Sequence, residues 1–99
     1  MSSHTLGTPE GRARAQALRN SVTQYQQALQ KFTQAVGNYN LAHEKLLQAA
    51  QVRAQGYFGG FFTEAGKLEA EANDLNALAA QLDSEGCALR DAADAMVGE

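Results

Sequence analysis

Between residues 18 and 50 the side chains on one helical face recur in steps that alternate four and three: Leu18, Val22, Tyr25, Leu29, Phe32, Val36, Tyr39, His43, Leu46 and Ala50. That alternation is the 3.5-residue repeat of a coiled-coil seam, and His43 is its one polar member. The same rhythm returns at Phe61, Ala65, Leu68, Ala72, Leu75, Ala79, Leu82, Gly86, Leu89, Ala93 and Met96. Strand-like alternation of β-branched residues is absent, Ile does not occur, and the only Pro is Pro9. The expected fold class is therefore all-α, an antiparallel two-helix coiled-coil hairpin.

Local signals set the expected boundaries. Residues 1–7 read as a disordered lead and residues 8–99 as the hairpin. Thr8-Pro9-Glu10 is a helix start, with Thr as N-cap, Pro at the first helical position and a carboxylate in the first turn. The first helix is expected over about 9–56, the turn over 57–61, and the second helix over about 61–97. The turn carries four of the seven aromatic residues, in Tyr57-Phe58-Gly59-Gly60-Phe61-Phe62. Gly59 and Gly60 are expected to supply positive φ angles at its apex. Gly37-Asn38, in the middle of the first helix, is a weak point and a candidate kink.

The second helix has a small row (Ala65, Ala72, Ala79, Gly86, Ala93) beside a long one (Leu68, Leu75, Leu82, Leu89, Met96). The first helix has a bulky row, Tyr25, Phe32, Tyr39 and Leu46, beside Val22, Leu29 and Val36. Volume complementarity predicts bulky against small. Setting Phe32 opposite Gly86 makes facing residue numbers sum to 118, with Tyr25 on Ala93 and Tyr39 on Ala79. Tyr57 and Phe61 then close the seam below the turn. A second stripe on helix 1, Ser21, Ala28, Ala35, Ala42, Ala49 and Gly56, repeats every seven residues. Alanine filler explains it simply; the sharper expectation is a face on which another hairpin docks to form a four-helix bundle. Leu47 and Leu78 lie off the seam and add apolar surface, and Phe58 and Phe62 have no assigned seam partner. Phe58, Phe62, Leu47, Leu78, Ala28, Ala35 and Ala42 are thus the candidate partner-binding residues.

Charge is divided along the chain. Residues 1–56 carry six basic and two acidic side chains, and residues 57–99 carry two basic and nine acidic. An antiparallel hairpin would bring Arg12, Arg14 and Arg19 towards Asp91, Asp94 and Glu99. A helix swap between two chains could use the same register. Ninety-nine residues with much of the apolar content in Ala make a thin core, so self-association is expected to help.

Reactive chemistry finds no footing. Ala42-His43-Glu44-Lys45-Leu46-Leu47 starts like a zinc-protease motif but has Leu47 where the second His is required. Glu64, Glu69, Glu71 and Asp74 fall off the seam and lack a Glu-x-x-His partner, which favours a solvated acidic face over a metal site. Cys87 is alone and cannot form an intramolecular disulfide. Gly59-Gly60 lacks the spacing and the Lys of a phosphate loop. No catalytic, cofactor or metal residues are assigned, and no enzyme activity is expected. The scattered basic residues and acidic balance argue against nucleic acid. No apolar run suits a membrane span and no secretory leader is apparent. A cytoplasmic protein is expected, with signal-independent export as a compatible route.

A chain of this length with two antiparallel helices and an aromatic-Gly turn resembles the WXG-motif small proteins of type VII secretion. Tyr57-Phe58-Gly59 stands where that family has Trp-x-Gly, and Leu89 to Met96 is similar to the Ala-rich ends of its members. The family's Tyr-x-x-x-Asp/Glu tail signal is matched only by Ala95 to Glu99, with Ala in place of Tyr. The resemblance implies a non-enzymatic protein that forms a homodimer, or a heterodimer with a similar helical protein. It would act as an export substrate, or as a targeting partner or chaperone of a larger effector. The alternatives from the residues alone are a cytoplasmic helical adaptor or regulator, phage- or host-encoded, and a type III-like secretion chaperone.

Overall fold

The computed structural model describes residues 7–55 and 59–98, with residues 59–62 described by their backbone alone. The fold is all-α, an antiparallel hairpin of α1 (Pro9–Gln55) and α2 (Gly59–Val97). Of the expected lead over residues 1–7, all but Gly7 lies outside the described residues, as do the turn residues Tyr57 and Phe58 and the side chains of Phe61 and Phe62. Helix α1 starts as its cap residues dictate. The Thr8 hydroxyl accepts the Gly11 amide at 3.0 Å, and the Thr8 carbonyl takes the first helical bond from Arg12 at 2.9 Å. Pro9 at the first position loses no hydrogen bond there. Helix α2 starts at Gly59, so Gly59 and Gly60 are helical, and no described glycine has a positive φ. The expected left-handed apex at these two glycines is therefore corrected: Gly permits that conformation without requiring it. Gly37 lies inside the unbroken α1, with no atom within 4 Å of where its Cβ would be.

The chain divides into two units, Met1–Lys31 with Ser84–Glu99, and Phe32–Asp83. In the first unit Ser21, Ala28, Gly86 and Ala93 are buried. The Ser21 hydroxyl, inside this interior, donates to the Leu18 carbonyl at 2.7 Å, which satisfies it without a partner from α2. Lys31 Nζ meets Glu85 Oε1 at 2.9 Å, and the Tyr25 hydroxyl donates to Asp94 Oδ1. In the second unit Ala35, Ala42 and Ala49 of α1 and Ala65, Ala72 and Ala79 of α2 are buried. Lys45 Nζ lies 3.1 Å from Glu71 Oε1. Arg53 holds Glu69 as a fork, Nη2 to Oε1 at 2.7 Å and Nε to Oε2 at 3.0 Å.

Each unit is thus closed by small side chains on both helices, and this overturns the predicted inward face of α1. Ala28, Ala35 and Ala42 are not an outer docking face; at 3%, 0% and 1% exposure they are the interior itself. The cross-helix contacts of the first unit, Lys31–Glu85 and Tyr25–Asp94, sum to 116 and 119, near the predicted 118. Those of the second, Lys45–Glu71 and Arg53–Glu69, sum to 116 and 122. What differs from the expectation is which row of α1 faces inward. Ala79, Gly86 and Ala93 are buried as expected of a seam, but opposite the small row of α1 rather than Tyr25, Phe32 and Tyr39.

The physical reason lies in the rows flanking the interior. With the Ala rows facing, Lys31 and Lys45 fall on the flank where Glu85 and Glu71 are within reach. Rotating α1 towards its bulky rows would carry both lysines away from those carboxylates. Small residues also allow the backbones to approach closely, which extends contact along both helices. Leu68, Leu75, Leu82, Leu89 and Met96 lie beside the interior as half-buried flanks. The basic start of α1 is occupied locally: Arg12 donates to the Gly7 carbonyl at 3.2 Å and Arg19 to Gln16 at 2.7 Å. Asp91, expected to face those arginines, lies 3.3 Å from Arg90.

Candidate interaction surface

Turning the Ala row of α1 inward leaves its bulky rows outside. In the first unit Leu18, Val22, Tyr25 and Leu29 are exposed, Leu29 by 64%. In the second, Val36, Tyr39 and Leu46 are exposed, Val36 by 56%, with His43 and Ala50 also exposed and Phe32 half-buried. Adjacent residues therefore divide sharply, since Ala35 is fully buried and Val36 is open. Scattered exposed leucines are ordinary on a protein surface, but an ordered row at coiled-coil spacing is not.

The row is also uncharged. Between Arg19 and Glu44 the only charged residue of α1 is Lys31, which pairs with Glu85 on the opposite flank. Exposed Gln26, Thr33 and Asn40 run alongside it. Tyr25 is anchored at its hydroxyl end by Asp94. Tyr25 holds its proton above the usual phenol range because it donates to Asp94, with partial burial and the Asp94 charge adding to the effect. Tyr39 is raised in the same direction, first by partial burial and then by the charge and hydrogen bond of Asp83. Anchoring at the hydroxyl fixes where the Tyr25 ring lies.

Of the other candidates, Leu47 and Leu78 are exposed, and so is Leu41, which the seam pattern does not include. Phe58 and the side chain of Phe62 lie outside the described residues. Cys87 is a free, half-buried thiol. Among the described residues no group of three or more His, Cys, Asp or Glu side chains could hold a metal ion. No described helix is long and apolar enough to cross a membrane. The spacing of Val22, Leu29 and Val36 fits an internal seam as well as an exposed row, so the pattern alone does not place them outside. The fourteen-residue spacing shared by Lys31/Lys45 and Glu71/Glu85 is the sequence signal that agrees with the observed bridges.

No protein-family model, curated protein or solved structure matches this chain.

Proposed function

We propose that this chain is a non-enzymatic protein-interaction module whose partner covers the bulky row of α1. The observation that carries the reading is the exposure of Leu18, Val22, Tyr25, Leu29, Val36, Tyr39 and Leu46 on one helical face. Recognition of this kind works by apolar anchors at i, i+3, i+4 and i+7 entering a complementary groove or helix face. Water leaves the row on binding, and the uncharged Gln26, Thr33 and Asn40 along one border make that desolvation cheap there. The resemblance to the WXG-motif proteins of type VII secretion supports a finer reading, an export substrate or the targeting partner or chaperone of a larger effector. The evidence for that finer reading is the aromatic-Gly segment Tyr57-Phe58-Gly59 and the Ala-rich end of α2.

A photo-crosslinking residue placed at position 29 or 36 tests the interaction reading, with position 30, exposed on another face of α1, as the control. Adducts at 29 and 36 but not at 30 are expected in the producing cell. Equal labelling at all three positions, or none at any, contradicts the reading.

A further inference from the structure

We infer that the second unit takes as its partner an amphipathic helix with Lys or Arg along both borders of its apolar face. The inference rests on the reading of the bulky α1 row as an interaction surface, and it concerns residues 32–83 alone.

Within that unit Val36, Tyr39 and Leu46 stand exposed beside the buried Ala35, Ala42 and Ala49, and exposed Leu47 widens the strip outward. Residues three and four apart are neighbours on a helix surface. Glu44, four residues after Asn40 and three before Leu47, therefore lies along the outer edge of the strip, and it is exposed. The inner edge is set by α2, where Asp83 accepts from the Tyr39 hydroxyl. A carboxylate thus borders the apolar strip on each side.

The cations of the unit do not offset those two carboxylates. Residues 32–83 carry three basic side chains and six acidic ones. Lys45 lies 3.1 Å from Glu71, and Arg53 is held by Glu69 in the fork already described. The third, Lys67, follows the buried Ala65 by two residues, about 200° round α2, and so stands on the side turned away from α1. A partner whose apolar anchors are flanked by cations meets complementary charge on both edges. One flanked by carboxylates meets repulsion on both. Val36, Tyr39 and Leu46, spaced by three and seven, suit the anchors of a helix laid along the strip.

Two synthetic peptides of about 18 residues, long enough to be helical in water, read the occupant. They share a Leu face holding one Trp and differ only along its borders, Lys in one and Glu in the other. The chain has no Trp, so indole fluorescence reports on the peptide alone. At low salt the Lys peptide should bind about tenfold more tightly than the Glu peptide, and salt should erode that advantage. Glu44→Gln/Asp83→Asn should weaken the Lys peptide about fivefold. Val36→Ser/Leu46→Ser should weaken both peptides. Glu64→Gln/Asp74→Asn removes as much charge away from the strip and should leave the Lys peptide's affinity unchanged. Equal affinity for the two peptides overturns the cationic occupant, and so does equal weakening by the two charge-neutralised pairs. Binding of neither peptide, or binding that Val36→Ser/Leu46→Ser leaves intact, overturns a helix on this strip. Photo-crosslinking at position 36 reads the interaction surface separately, so adducts there without a preference for Lys overturn this inference and leave that reading intact.

Discussion

Tyr25 and Tyr39 reach from α1 to carboxylates on α2, and their titration reports on those contacts. Each phenol has a folded pKa above its ordinary value of 10.0, so the protonated form is favoured in the folded chain. The contribution to stability is complete below pH 10 and is lost as pH rises through the raised folded values. Phenolate absorbance should show these ionisations above 10, and Asp94→Ala should move the Tyr25 step back down. An unchanged titration in that variant contradicts the Tyr25–Asp94 bond. Gly37 offers a second check. It is helical and exposed, and a Cβ there would meet nothing within 4 Å. Gly37→Ala should raise unfolding free energy by about 1 kcal/mol in a denaturant titration, with no change contradicting a continuous helix there. At this scale the Thr8 cap was readable because it depends on three adjacent residues. The Tyr25–Asp94 bond was not, since it joins positions 69 residues apart whose pairing needs the correct register.

At the scale of the helices, the period of the pattern identified α1 and α2 but could not select the inward face. Ser21, Ala28, Ala35, Ala42 and Ala49 repeat every seven residues, and so do Val22, Leu29, Val36 and His43 one position later. Period alone ranks them equally. Volume complementarity favoured the bulky rows, yet close approach of two Ala rows together with the Lys31–Glu85 and Lys45–Glu71 bridges prevails. The start of α2 was likewise unreadable, because glycines are compatible with a turn apex and with a helix. The Ala interior has a direct consequence. Ala35→Leu would force the helices apart in the second unit, and it should cost about 1–3 kcal/mol in chemical unfolding. A loss near zero would show that Ala35 is not an interior position.

For the whole molecule, a hydrophobic interior built from Ala buries little area per residue, and the large apolar side chains of α1 stand outside it. A partner that binds only the folded chain would raise its apparent stability by mass action. The photo-crosslinking experiment tests the proposed partner surface. Chemical unfolding followed by circular dichroism tests the division of the two α1 faces most directly. Ala35→Leu should lose stability, whereas Val36→Glu should keep its helicity and stay within about 0.5 kcal/mol of the unmodified protein. A loss in Val36→Glu as large as that in Ala35→Leu would contradict the placing of the bulky α1 row on the outside.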